Sequence, residues 1–300
     1  MVALIIQGED QFFTTSDEVS ICYRHFGQGI PLVLVAGLGL QLHYWSPVLI
    51  DGLVARGFQV IVLDNRDVGR SSRIKGKPPT LLEKLRGKTP NNPYDLNRMA
   101  QDVVELLDHL KIEKAHFTGM SMGGMIAQTI SANHPERVKS LVSIFSTTGN
   151  KKIGQPIWST MMKLAEPPSK TQKAYIKHYI DFCKHIGSTD YDMHADTQTA
   201  YASLAWERGS GKQIGPGVGR QIGAILKSGD RTEQLKKIKA PTLVIHGDKD
   251  NIVDVSGGYA TAKAIKDAKL ILMAGMGHFI AHEVSPYFVD LIAGHALRAE

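Results

Sequence analysis

The feature that most constrains the fold is a series of short apolar segments that alternate with helical segments along the chain. Apolar runs occur at residues 31–36, 58–64, 115–119, 138–145, 240–246 and 269–273. Continuous apolar runs of this length are typical of parallel strands that are buried on both faces. Strands that alternate with helices predict an α/β class with a mostly parallel sheet. Residues 11–15 and 18–26 alternate apolar and polar side chains, which predicts two antiparallel edge strands and about eight strands in total.

The alternation stops between residues 145 and 240, where the pattern becomes helical. One predicted helix carries an apolar face at helical spacing, made of Tyr175, Tyr179, Phe182 and Ile186. We therefore predict a helical cap, or lid, at residues 147–235, inserted before the last strands of a core formed by residues 1–146 and 236–300. The glycine-rich stretch 209–219 predicts a flexible turn between lid helices.

Composition and charge argue against several classes of function. The formal net charge is +6, but the basic residues are spread along the chain, and no basic stripe points to nucleic acid. No apolar run approaches the roughly 20 residues that a membrane-spanning helix needs. The apolar stretch 2–6 is too short for a signal peptide. We therefore expect a soluble cytoplasmic protein. The two cysteines, Cys22 and Cys183, predict small buried side chains and neither a disulfide framework nor a zinc site.

The segment Gly119-Met-Ser121-Met-Gly123 matches the pattern G-x-S-x-G. It follows a predicted strand and precedes a predicted helix at residues 122–132, which is the context that a strained nucleophile turn requires. The helix N-terminus also favours negative charge developing near the serine. We predict Ser121 as a nucleophile; the alternative is a passive serine in a glycine-rich turn.

A serine hydroxyl needs a base, and histidine is the usual one. His278 lies just after the last apolar strand, where a base is expected when the acid and then the histidine follow the serine. His282 is the nearest competitor, and His295 is expected at the surface. The acid should follow the strand at 240–246, where both Asp248 and Asp250 occur, and the residues alone leave both open.

The loop after the first parallel strand contains Gly37 and Gly39, which let a backbone amide approach a substrate oxygen. We predict the backbone N–H groups of Leu38 and Met122 as an oxyanion hole. A dinucleotide-binding loop would need a third glycine where Leu42 stands, so nucleotide binding is not expected. A mostly apolar substrate pocket is predicted from four nearby side chains: Tyr44, Trp45, Met120 and Phe279.

Over nearly its whole length the chain resembles the α/β-hydrolase superfamily. Residues 64–71 are similar to its D-x-R-G-x-G-x-S segment, with Asp67 in place of the usual glycine. This variant resembles a bacterial esterase branch that includes anthracycline methyl esterases. The resemblance implies that the acid is Asp250, as in the family pattern H-G-x-x-D, and that Asp248 is a turn residue. It also supports His278 and the Leu38 amide.

The chain departs from the family pattern at two places. Ala36 stands where the family often has histidine before the glycine of the oxyanion loop, and the segment after His278 begins with Phe279 instead of aspartate. The first departure leaves the backbone donor in place. The second changes the pocket beside the histidine.

These features predict a serine carboxylic ester hydrolase that forms an acyl-enzyme and needs no metal or cofactor. The expected substrate is a small or medium, largely apolar ester. The same catalytic groups also serve lactonases, C–C bond hydrolases, perhydrolases and aminopeptidases. An alternative of a different class is a ligand receptor with the same fold, which steady multiple turnover would exclude.

Overall fold

A computed structural model describes residues 8–300, so the apolar stretch at residues 2–6 lies outside the described residues. The described chain forms one eight-stranded sheet. Its strands are β1 (Gln11–Thr14), β2 (Ser20–Phe26), β3 (Ile30–Val35), β4 (Phe58–Leu63), β5 (Ala115–Met120), β6 (Val138–Ile144), β7 (Thr242–Gly247) and β8 (Lys269–Met273). The predicted number of strands is therefore confirmed, with ends that differ by one or two residues.

The strand order is β1-β2-β4-β3-β5-β6-β7-β8. Strands β3 to β8 pair in parallel, whereas β1 pairs with β2, and β2 with β4, in antiparallel fashion. The predicted antiparallel pair is confirmed. Of its two strands only β1 lies at an edge of the sheet, because β2 lies between β1 and β4. The chain moves outward from β3 to β4 and then returns to the other side of β3 with β5. Ligands bind at such a switch point in open α/β sheets, beyond the carboxyl ends of the strands.

Helices cover both faces of the sheet and also fill the segment between β6 and β7. They are α1 (Pro47–Val54), α2 (Leu81–Arg86), α3 (Leu96–His109), α4 (Met122–Asn133), α5 (Trp158–Leu164), α6 (Gln172–Ile186), α7 (Ala195–Arg208), α8 (Ile214–Ser228), α9 (Thr232–Leu235), α10 (Ser256–Ala264) and α11 (Ser285–Leu297). Among the described residues, no helix is long and apolar enough to cross a membrane.

The central strands are buried on both faces, as their continuous apolar runs predict. In β3, Val33 and Val35 belong to the core that packs on α3 and α4. Leu32 and Leu34 point to the opposite core, which packs on α1 and α11. Because side chains of a strand alternate between faces, a strand between two helical layers must be apolar at every position.

Two expectations are wrong. Residues 214–219 are not part of a flexible turn but begin helix α8. The glycines there allow close packing: a β-carbon on Gly217 would lie 2.2 Å from the Asp67 carbonyl oxygen. His295 is buried instead of surface-exposed, because α11 packs against the sheet and places His295 Nε2 3.1 Å from the Pro241 carbonyl oxygen. Cys22 and Cys183 are both buried and unbridged.

Candidate active site

Ser121 lies at the junction between β5 and α4, with φ 56° and ψ −120°. This left-handed region is strained for a residue with a β-carbon, and such strain is concentrated at functional sites. The Ser121 amide donates to the Ile144 carbonyl oxygen at 2.8 Å, which ties the turn to the neighbouring strand β6. The serine is therefore presented by the backbone at the carboxyl edge of the sheet.

Two glycines make this turn possible. A β-carbon on Gly119 would lie 2.2 Å from the Gly123 carbonyl oxygen, and one on Gly123 would lie 2.0 Å from the Val35 carbonyl oxygen. Both distances are far below van der Waals contact, and the obstructing atoms are backbone. The spacing of the glycines in the sequence pattern thus follows from how closely β5, α4 and β3 approach one another around Ser121.

His278 follows β8 and is paired with Asp250, which follows β7. His278 Nδ1 lies 2.6 Å from Asp250 Oδ2, and both residues are buried. The carboxylate can only accept, so Nδ1 carries the hydrogen and Nε2 is left with its lone pair. The second carboxylate oxygen accepts from the backbone amides of Ile252 and Val253, both at 2.8 Å. These contacts fix the orientation of the imidazole.

The electrostatics of the pair favour an ionised carboxylate. Burial alone would raise the pKa of Asp250, but charge interaction and hydrogen bonding with His278 and His246 outweigh it and lower that pKa to about 2. His246 Nε2 lies 3.4 Å from Asp250 Oδ2 and 2.8 Å from the Val253 carbonyl oxygen. The sequence pattern gave no sign of His246, because it ends a buried strand.

Asp248 and His282, the alternative candidates for the acid and the base, make other contacts. Asp248 accepts from the Gly275 amide at 2.8 Å, so its carboxylate joins the loops after β7 and β8 as a turn residue would. His282 lines a separate, smaller cavity, and its ring packs edge-on against His194. The structure therefore brings Asp250, and not Asp248, to the His278 ring.

Two contacts that no sequence pattern indicated hold the His278 loop in place. The His278 amide donates to the Ile186 carbonyl oxygen at 2.9 Å, at the end of α6. The ring of Phe145 packs on the His278 ring, with centroids 5.5 Å apart. Both contacts join residues that are distant in sequence, so neither has a local signal.

The loop after β3 lies against the Ser121 turn. A β-carbon on Gly37 would be 3.3 Å from both Ser121 Cβ and the Met120 carbonyl oxygen. Leu38 lines the same cavity as Ser121, whereas Met122 is buried at the start of α4. The Gly39 amide donates to the Gln221 side chain of α8 at 2.9 Å, so the segment between β6 and β7 also contacts this loop.

One cavity of about 430 Å³ contains both Ser121 and His278 in its wall. Of the predicted pocket residues, Tyr44, Met120 and Phe279 line it. Trp45 does not; it is buried and lines the smaller cavity beside it. The rest of the wall is mostly apolar and comes largely from the segment between β6 and β7: residues 163–169, helix α6 and helix α8. The apolar side chains of the two helices include Tyr175, Tyr179, Phe182, Ile186, Ile214, Val218 and Ile222.

Buried ion pairs attach helices α7 and α8 to the loops of the sheet. Arg208 at the end of α7 donates to Asp64 at 2.8 Å, and Arg220 of α8 donates to Asp67 at 2.6 and 2.9 Å. Asp67 is the residue that replaces the family glycine, and it has φ 74°. The departure from the family segment is thus matched by an arginine on α8.

Within residues 8–300, no group of three or more His, Cys, Asp or Glu side chains is arranged to hold a metal ion. Two polar groups that share the cavity wall are the Ser121 hydroxyl and the His278 imidazole, whose partner is the buried Asp250 carboxylate. Groups of these three kinds can carry out acyl transfer with the serine as nucleophile.

Comparison with known proteins gives concordant matches. Residues 30–283 match the model of the alpha/beta hydrolase fold family. The chain is 25% identical to rhodomycin D methylesterase of Streptomyces peucetius over 95% of this chain and 97% of that protein. It is 27% identical to 3-oxoadipate enol-lactonase 2 of Acinetobacter baylyi over 81% of both chains. A crystal structure of a hydrolase from Pseudomonas aeruginosa superimposes with a TM-score of 0.69 and 25% identity, over 97% of this chain and 98% of that one.

Proposed function

This chain belongs to the alpha/beta hydrolase fold family and is a hydrolase that acts on ester bonds; we propose that it cleaves carboxylic esters through an acyl-enzyme on Ser121. The observation that carries the proposal is the shared cavity. Ser121, strained at φ 56°, lines it together with His278, whose Nδ1 is 2.6 Å from Asp250 Oδ2. A nucleophile, a base and an orienting acid thus come from three separate strand ends.

The proposed reaction has two halves. Ser121 Oγ attacks the ester carbonyl carbon while His278 Nε2 takes the hydroxyl proton, and the tetrahedral oxyanion collapses to release the alcohol, which receives that proton. Water then attacks the acyl-Ser121 ester while His278 Nε2 takes its proton; the Ser121 Oγ–acyl bond breaks, Oγ receives that proton from His278, and the carboxylic acid leaves. Asp250 stays ionised and stabilises the imidazolium formed in each half, as its lowered pKa allows.

The backbone N–H groups of Leu38 and Met122 are proposed as donors to the oxyanion. Two observations support this: Leu38 lies in the cavity wall beside Ser121, and Met122 opens α4, whose N-terminus favours negative charge. Each such donor contributes about 3 kcal/mol to transition-state stabilisation. No side chain is needed, so the missing family histidine before Gly37 leaves this part of the mechanism intact.

The wall of the cavity supports an apolar substrate. Its lining is dominated by Leu, Ile, Val, Met and aromatic side chains, and the few charged ones include Lys163 and Glu166. A volume of about 430 Å³ lies in the usual range for small-molecule sites. We propose residues 147–235 as a cap that shapes this cavity over the carboxyl ends of the strands.

The test is Ser121→Ala, assayed on short p-nitrophenyl esters. We expect turnover to fall about 10⁴-fold or more, because an activated nucleophile is lost. Intact mass spectrometry of the rapidly quenched wild-type enzyme should show an added acyl group that is absent from the variant. Ser131→Ala is the matched control, since Ser131 lies on the same helix and, among the described residues, its hydroxyl donates to the Ala127 carbonyl oxygen of its own helix alone. Normal turnover by Ser121→Ala would refute the proposal.

A further inference from the structure

A second cavity of about 220 Å³ lies beside the one that contains Ser121. Tyr44 and Phe279 line both cavities and meet edge to face, with ring centroids 6.3 Å apart. These two rings therefore form the partition between them. Phe279 directly follows His278 and stands where the family pattern has aspartate, so the partition is a departure from that pattern.

The second cavity differs chemically from the first. Besides apolar side chains, its lining contains several residues with hydrogen-bonding groups: His43, Trp45, Ser46, His194, Thr197, Gln198, Tyr201 and His282. Among the described residues that line it, none is Asp, Glu, Lys or Arg. Burial, with the nearby charge of Arg208, lowers the pKa of His43 to about 3, so that imidazole is neutral at physiological pH. The lining thus suits an uncharged group that makes hydrogen bonds.

Several polar groups of the lining lack a complete set of partners. His43 Nδ1, Trp45 Nε1 and His194 Nε2 are buried without a hydrogen bond to any of the residues described. Unpaired buried polar atoms are unfavourable and rare, and their occurrence on three residues around one cavity needs an explanation. Tyr179 donates to Gln198 Oε1 at 3.3 Å, so the amide NH₂ group is what Gln198 can still offer to a ligand.

We propose that the second cavity is a subsite for an uncharged, hydroxyl-bearing arm of the ester substrate, which reaches it past Phe279 and bonds Gln198. This inference rests on the proposed esterase function, because the arm must be attached to an ester held at Ser121. Phe279 then determines specificity: its ring decides whether the arm passes from the cavity that contains Ser121 into the second cavity.

The test uses two matched substrate pairs. On the alcohol side these are hexyl acetate and 6-hydroxyhexyl acetate, and on the acyl side 4-nitrophenyl hexanoate and 4-nitrophenyl 6-hydroxyhexanoate. The quantity measured is the ratio of kcat/KM for the hydroxylated ester to that for the plain ester. In the pair whose hydroxyl lies on the side of the ester that faces Phe279, Phe279→Ala should raise this ratio about tenfold over wild type. The reason is that the partition is removed and one hydrogen bond is gained. Adding Gln198→Leu should reverse the gain, whereas adding Gln234→Leu, the same change outside the cavity, should not.

An unchanged ratio in both pairs, or a gain that Gln198→Leu leaves intact, would overturn the subsite. If Phe279→Ala fails to fold, Phe279→Leu makes the same comparison with a smaller change in volume. Failure of the proposed function is recognised separately, because Ser121→Ala would then continue to turn over all four esters. The ratio compares substrates on one enzyme, so a general loss of activity leaves it unaffected.

Discussion

The loops at the carboxyl ends of the strands and the helices between β6 and β7 line the same cavity, but they are held in different ways. Around Ser121 the contacts are between backbone atoms, so close that a β-carbon on Gly123 would lie 2.0 Å from a carbonyl oxygen. Helices α7 and α8 depend in addition on buried side-chain pairs, Arg208 with Asp64 and Arg220 with Asp67, although the backbone of α8 also approaches the loop after β4 closely. Backbone contacts fix positions closely, whereas side-chain pairs tolerate change in the helices around them.

The two regions therefore have different expected roles: the loops supply the reacting groups, and the helices shape the cavity. The groups proposed to react come from the loops of the sheet, and most of the cavity wall comes from the segment between β6 and β7. Substitutions in the loops should therefore lower the rate for every ester, and substitutions in the helices should change which ester is preferred. The following predictions test this separation, from the largest expected effect to the smallest.

Asp250→Asn should lower kcat on short esters about 10⁴-fold, because the amide no longer holds the imidazole in the reactive tautomer. The measurement is steady-state turnover of p-nitrophenyl acetate. Asp248→Asn provides the matched control, since Asp248 contacts the Gly275 amide and not His278; we expect it to stay within about tenfold of wild type. Equal losses in both variants would show that the loop as a whole, and not the His278–Asp250 contact, sets the rate.

Arg220→Met should lower the free energy of unfolding by about 3–5 kcal/mol, because Asp67 is left as a buried charge without its partner. Urea unfolding at pH 7 measures this. Arg56→Met is the control: Arg56 and Asp290 form a pair whose side chains are 41% and 65% exposed, and losing it should change stability by less than about 1 kcal/mol. If the two variants lost the same stability, α8 would not be attached through the Arg220 pair.

The ionised Asp250 should make a pH-dependent contribution to stability. Its pKa in the folded protein, about 2, lies below the ordinary value of 3.8, so the contribution is present above about pH 4 and is lost as pH falls toward 2. We expect wild type to exceed Asp250→Asn by about 2 kcal/mol at pH 7 and the difference to vanish near pH 2. Urea unfolding across this range measures it. A difference that stays constant with pH would contradict the ionised pair.

Val218→Ala should change selectivity with the smallest effect on rate. Val218 lies in the wall on α8, and its Cγ2 is 2.9 Å from where a β-carbon on Gly39 would be. Removing two methyl groups enlarges the cavity, which should favour bulkier acyl groups by about fivefold, or about 1 kcal/mol. An ester panel that varies acyl and alcohol groups separately measures this. A comparable fall in kcat for all esters would show that Val218 affects the general rate, as the loop residues are expected to do, and not the selectivity.

Much of the candidate site could be predicted from the sequence because its signals are local. The glycines around Ser121 mark the strained turn, and chain order places an acid and then a histidine after later strands. The choice between Asp248 and Asp250 was different, since both follow β7 and only the family resemblance favoured one. The structure gives a physical distinction: one carboxylate faces the His278 ring, and the other accepts from a loop amide.

Other features of the site had no local signal. Trp45 was expected in the pocket with Tyr44, its neighbour; both side chains line the smaller cavity, but only Tyr44 also reaches the cavity that contains Ser121. The glycines of residues 214–219 suggested flexibility, whereas they allow α8 to pack on the loop after β4. A glycine in sequence signals either freedom or close approach, and only the neighbouring chain determines which.

The sequence by itself thus determined the layered α/β architecture, the strained serine turn and the chain order of the proposed acid and base. The first two depend on residues within about one strand and one turn of each other, and the third depends on the order of the strands along the chain. Only the tertiary structure decided how the two cavities are separated and how the helices that line them are attached to the loops of the sheet. The Gly39–Gln221 and Asp67–Arg220 contacts join residues 182 and 153 positions apart, so their geometry depends on packing that no local pattern records.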